Sequence, residues 1–249
     1  MTIPISHYCE KARWALERAG LTYREEPHVQ GVHRVASRRA GGAGTVPVLV
    51  TDRGSVGDSA EILQWVDRRI APEARLYPED PQELREVRSL CARLDDGLGP
   101  RGRRLIYVHM FAQHKMMLDF NNRGVPRWED RALRWGWPLA VAFVGRALGI
   151  EEGVEVADEA AVWDELDHVA GLLDDGRPHL CGDRFSAADL TFAALCAPVL
   201  LPRDYGVPLP QPELLAPATA ELVARARAHP AGRYALRMIA EQRHATVAV

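Results

Sequence analysis

Residues 45–63 read TVPVLVTDRGSVGDSAEIL, and the fold is read outward from this stretch. The β-rich runs TVPVLV and SVGD flank Arg53-Gly54, which predicts a hairpin turning near that pair. Pro47 stands at the start of the first strand, where its missing N–H is tolerated. Asp58 and Ser59 then open a helix, with Ile62, Leu63, Val66 and Ile70 on one side of it. Asp58 and Glu61 have the spacing of a capping box, in which two side chains satisfy free N–H groups at the helix start.

Upstream, MTIPI is a short strand candidate. HYCEKARWALERAG is helical: Tyr8, Ala12, Ala15, Leu16 and Ala19 share a face, and Gly20 stops the helix. LTYREEPHV has strand composition up to Pro27, and HRVASRRAGGAG holds one irregular helix that dissolves into glycine. The order strand, helix, strand, helix, strand, strand, helix requires crossover connections and a mixed sheet covered by helices. Downstream, APEARLYPEDPQ carries three prolines in twelve residues, and proline blocks helix propagation. Beyond it the patterns are helical: ELREVRSLCARLDDGLG, RRLIYVHMFAQHKMML, DRALRWGWPLAVAFVGRALG, DEAAVWDELDHVAGLLDD, SAADLTFAALCAPVLL and APATAELVARARAHPAGRYALRMIAEQR. The chain therefore divides into an α/β domain over 1–71, a linker over 72–82 and an all-helical domain over 83–249.

The 249 residues are 47% hydrophobic and 26% charged, a globular composition. A net charge of -3 gives no electrostatic reason to expect nucleic acid or an anionic membrane as partner. Arginines lie beside acidic residues in the helical stretches and read as solvated faces. No apolar run approaches the ~20 residues of a spanning helix, and the N-terminus lacks the basic-then-apolar order of a secretory signal. The four cysteines, Cys9, Cys91, Cys181 and Cys196, form no C-x-x-C pair. They are expected to be reduced and the protein cytoplasmic.

Ser6 and Cys9, three apart in SHYCEKAR at the mouth of the first helix, are the candidate reactive pair. Ser6 fits a helix cap, and equally a hydroxyl that donates to a thiolate held at the helix N-terminus. Cys9 fits a buried apolar residue, a reactive thiolate or, with no second ligand at suitable spacing nearby, a metal half-site. His7 is read as a lone exposed histidine, with tuning of the site as the alternative. His109 and His114, five apart, do not share a helix face, so they give no metal site. Phosphate-loop, dinucleotide and H-E-x-x-H patterns are absent, so neither nucleotide nor metal is expected. Ser186-x-x-Asp189 in CGDRFSAADL is a second capping box, with a structural role.

A small α/β domain followed by an all-helical one, with SHYCEKAR, TVPVLV, GDSAEIL and FSAADL in that order, resembles the glutathione transferase superfamily, in its bacterial Ser-type form. The resemblance covers nearly the whole chain. It implies a thioredoxin-like N-terminal domain and a cis bond before Pro47. It also implies glutathione as co-substrate, with Ser6 activating its thiol and Cys9 secondary. By the same match Val46 and Pro47 hold the cysteinyl part of glutathione, and Asp58 and Ser59 its γ-glutamyl end. The acceptor is a small electrophile in a cleft between the domains, with Tyr107, Met110 and Phe111 as candidate wall residues. A homodimer and a role in detoxification are implied as well. A thiol-disulfide or deglutathionylating enzyme using Cys9, or a non-catalytic binding protein, are the alternatives. The chain departs from the family at RRAGGAG, where many relatives have an Asn-Pro loop. The glycyl carboxylate partner is therefore open among His33, Arg34 and Arg38. Lys115–Pro138 looks like an insertion that walls the acceptor pocket, packs internally or makes a dimer contact.

Overall fold

The computed structural model describes residues 1–247. Helix α1 (His7–Arg18) starts at Ser6, whose backbone is extended and whose side chain caps the Cys9 N–H. Helix α2 (Val32–Arg39) follows, then the antiparallel strands β1 (Val48–Thr51) and β2 (Gly54–Gly57), then α3 (Ser59–Asp67). Thr51 pairs with Gly54, so the hairpin loop is Asp52-Arg53.

The expected first and second strands shrink to a single bridge. Thr2 and Pro27 pair in parallel, with the Thr2 N–H on the Glu26 carbonyl at 3.1 Å and the His28 N–H on the Thr2 carbonyl at 2.9 Å. On its other side the N-terminus exchanges two bonds with Val48, at 2.8 and 3.1 Å. The sheet order is thus 26–28, 1–2, β1, β2, with both parallel and antiparallel pairing. Neither Pro4 nor Pro27 has an N–H to extend the ladder.

The second domain is helical: α4 (Pro81–Asp96), α5 (Leu98–Phe111), α6 (His114–Asn121), α7 (Arg127–Trp135), α8 (Trp137–Leu148), α9 (Val154–Leu172), α10 (Ala187–Leu200), α11 (Pro217–Ala228) and α12 (Pro230–Gln242). Three stretches expected as single helices are each divided. The first breaks at Ala112-Gln113, where Gln113 binds the Leu214 carbonyl and the Ala216 N–H. Gly136 with Pro138 divides α7 from α8, and Pro230 starts α12, each proline standing in a first turn, where its missing N–H is not needed.

Helix α10 is the axis of the domain. Every residue but Pro198 is buried, as befits a helix apolar on all sides. The Ser186–Asp189 capping box forms at its start. Helix α1 packs between α3 and α10, so it is enclosed on both sides. Besides its expected apolar face it buries His7, Cys9, Glu10, Lys11, Arg13 and Arg18. Among the described residues no helix is long and apolar enough to cross a membrane.

Candidate active site

Two adjoining hollows flank the start of α1. A groove is lined by Tyr8, Thr45, Val46, Pro47, Asp58 and Ser59 from the first domain, and by Tyr77, Arg88, Asp95, Asp96 and Arg103 from beyond it. A cavity of about 280 Å³ lies between Ile3, Ser6, His7 and Gln30 on one side and α5, α6, α8 and α10 on the other. Thr45 and Arg103 belong to both walls.

In the groove, the Val46–Pro47 bond is cis. Asp58 has φ 70 and ψ 142, a left-sided conformation that a non-glycine residue adopts at a cost. Its carboxylate accepts from the Ala60 N–H at 2.7 Å. The reciprocal bond from Glu61 expected of a capping box is not formed, since Asp58 lacks the extended geometry of an ordinary cap. Ser59 is buried at the N-terminus of α3. Tyr8 donates to the Asp95 carbonyl at 2.8 Å, and Gly99 makes room for it: a Cβ there would stand 2.3 Å from the Tyr8 hydroxyl.

On the cavity side, Ser6 Oγ accepts from the Cys9 N–H at 3.4 Å and faces the hollow. Cys9 is fully buried, takes the Ile3 N–H on its sulfur at 3.4 Å and lines neither hollow. Burial pushes its thiol up, against the pull of Arg13 and of hydrogen bonds from Ile3 and Ser6. His7 is buried rather than exposed, and burial, with Arg103 nearby, pushes its imidazole down to about 3. Tyr107 and Met110 line the cavity. Phe111 is not among its walls; it packs edge-on against Tyr107 and Trp137. The Tyr107 hydroxyl accepts from Gln30 at 2.8 Å. His33 and Arg34 line the cavity, and Arg38 lies instead against Gly44. From the 115–138 stretch, Met117 and Phe120 reach the cavity wall while Trp128 and Trp135 face outward.

Residues 1–74 match the family model described as "Glutathione S-transferase, N-terminal domain". The whole architecture superposes on solved structures of that kind. One is a glutathione S-transferase from Xanthobacter autotrophicus, 19% identical, with 96% of this chain and 90% of that chain covered and a TM-score of 0.61. A theta class enzyme from Xanthomonas axonopodis pv. citri with glutathione bound is 20% identical, covering 94% and 96%, at 0.55. A glutathione S-transferase from Methylobacillus flagellatus with glutathione bound is 17% identical, covering 94% and 96%, at 0.54. Residues 1–74 thus match a glutathione S-transferase N-terminal domain, and the chain as a whole shares the fold of these structures. No curated protein matches the sequence.

Of the residues that line the two hollows, sequence reasoning missed Arg103, Gln30 and the Asp95–Asp96 pair. Arg103 sits in RGRR, which reads as a solvated helical face, and the aspartates close α4 with no local mark of a ligand. Tyr8 was assigned to the core face of α1, and its hydroxyl end reaches the groove.

Proposed function

We propose that this chain binds glutathione in the groove and joins its sulfur to an apolar electrophile held in the cavity. The continuity of the two hollows carries the reading: Ser6 stands on the cavity side of a wall shared through Thr45 and Arg103, and Val46, Asp58 and Ser59 stand on the groove side. Two structurally similar proteins were solved with glutathione bound, which supports glutathione as the thiol.

In this reading the thiol lies where the hollows meet. The Ser6 oxygen accepts the Cys9 N–H, and its hydroxyl proton, which also lies near the Cys9 thiol, donates in this reading to the glutathione sulfur. That bond, with the positive end of α1, favours the thiolate, and each pKa unit gained is worth about 1.4 kcal/mol. Neither the N–H nor the C=O of Val46 has a partner among the described residues, and both pair with the cysteinyl part. Asp58 takes the ammonium group and the N-terminus of α3 at Ser59 the γ-glutamyl carboxylate. His33 and Arg34 hold the glycyl carboxylate. Catalysis then comes from raising the thiolate fraction and from holding both reactants in contact.

Ser6→Ala should lower kcat/KM by about 10–100-fold, the range for losing a hydrogen bond to a charged group. Cys9→Ala should stay within about threefold of wild type, because the buried sulfur touches neither hollow. A silent Ser6→Ala beside an inactive Cys9→Ala would overturn this reading in favour of Cys9 chemistry. Calorimetry showing no glutathione binding would overturn it in favour of a non-catalytic protein.

A further inference from the structure

The two hollows differ in charge. The groove carries Asp58, Asp95 and Asp96 as well as Arg88 and Arg103. The cavity wall carries no Asp or Glu; its basic groups are His7, His33, Arg34 and Arg103. Much of the remaining wall is apolar, including Ile106, Met110, Phe120 and Phe143. Arg103 is partly buried and makes no ion pair among the described residues. Its Nε is buried with no hydrogen-bond partner among them, and so is His7 Nε2 on the same wall. His7 is held neutral by burial and by Arg103, so the ring adds no second charge here. Arg34 is assigned above to glutathione. A guanidinium held partly out of water, with its Nε buried and no ion pair among the described residues, is left without the partner it would otherwise find in solvent. The ligand that supplies that partner is an anion able to accept from the planar fork.

We propose that the acceptor substrate is an apolar molecule bearing a carboxylate or comparable oxyanion, and that this group seats on Arg103. The proposal rests on the reading above, in which glutathione supplies the thiol and the cavity takes the acceptor. The apolar wall holds the body of the acceptor, and Arg103, shared by both walls, fixes its polar end beside the groove. Arg103 is thereby a specificity-determining residue.

The test uses 4-chloro-3,5-dinitrobenzoate and its methyl ester. With either, the glutathione sulfur bonds to the ring carbon, the carbon–chlorine bond breaks, chloride leaves with the bonding pair, and the thiol proton passes to solvent. Each kcat/KM is divided by the uncatalysed rate constant with glutathione, so intrinsic reactivity cancels. Any loss of glutathione affinity also cancels in the acid-to-ester ratio. Wild type should favour the acid by about tenfold or more, the scale of one charge-assisted contact. Arg103→Leu should bring the ratio to about one, and Arg103→Lys should keep a clear preference for the acid. Circular dichroism checks folding, and Arg103→Gln, with a polar stem, serves if the Leu variant does not fold. No acid preference in wild type, or a preference intact after loss of the Arg103 charge, would overturn the proposal. Calorimetry of the acid and ester without glutathione separates the two readings. Arg103-dependent binding of the acid with no glutathione binding sinks the transferase reading and keeps the anion site. Turnover of the ester with no advantage for the acid sinks the anion site alone.

Discussion

At the scale of single residues, Asp58, the proposed partner of the ammonium group, also caps a helix. Its backbone sits at φ 70, where a side chain costs about 1–3 kcal/mol, and its carboxylate caps α3. Asp58→Gly relieves the backbone and loses the cap, for which glycine is itself a tolerable substitute. The unfolding free energy should therefore stay within about 1 kcal/mol of wild type by urea titration. Glutathione affinity should fall about tenfold by calorimetry, because the acidic partner of the ammonium group is gone. The places of Ser6 and Ser59 at helix mouths and of Pro47 before a strand were legible in the sequence, because each residue type has a narrow use there. Arg103 was not: an arginine among arginines carries no local sign of whether its guanidinium meets water or a cavity. His7 failed for the same reason, since its burial is imposed by the second domain.

Among elements, α1 and α10 decide the architecture. The mixed sheet and capped α3 follow from strand and turn chemistry, and SAADLTFAALCAPVLL was legible as a helix, though its enclosure was not. The capping box at Ser186–Asp189 was readable from its spacing, but its reach was not. Asp189 is fully buried and accepts from the Leu180 and Ser186 N–H groups, the Ser186 hydroxyl and the Tyr234 hydroxyl, tying α10 to α12 and to the preceding loop. Asp189→Ala leaves these donors unmet and should cost about 3 kcal/mol or more by chemical denaturation. Asp189→Asn keeps one of the two acceptor oxygens and should lose less. At the start of α5, Gly99→Ala would force Tyr8 out of its place on the groove wall. It should raise the KM for glutathione while the far-UV spectrum stays unchanged. The helix divisions at 112–113, 136 and 229 were hidden because periodicity continues through them, and only tertiary partners such as Gln113 mark the break.

For the whole molecule, ion pairs across the domains hold the site together. Lys11, fully buried, grips Asp95 at 2.7 and 2.9 Å, and Arg243 bridges Glu10 and Glu17 of α1 from beyond α12. Arg13 holds Glu25 beside the N-terminal bridge. Lys11 and Asp95, and Arg243 and its glutamates, are far apart in the chain, so no sequence window contains them, whereas the order of domains was plain from an α/β stretch followed by helices. Burial raises the Glu25 carboxyl, but the Arg13 guanidinium and the Thr2 hydroxyl outweigh it and hold the group below its ordinary 4.5. A carboxylate lowered in the folded state adds stability above its unfolded pKa and loses it as pH falls through the folded value. Glu25→Gln should therefore be less stable than wild type at pH 7, and the difference should shrink steadily below pH 4.5. A difference independent of pH would contradict that pairing. The central claim concerns what the assembled domains do to a bound thiol: Ser6, not Cys9, stabilises its anion. It is tested most directly by titrating glutathione bound to wild type, Ser6→Ala and Cys9→Ala while following thiolate absorbance near 240 nm. The account predicts a bound thiol titrating well below free glutathione in wild type and Cys9→Ala, and about one to two units higher in Ser6→Ala. Equal titration in wild type and Ser6→Ala would contradict it.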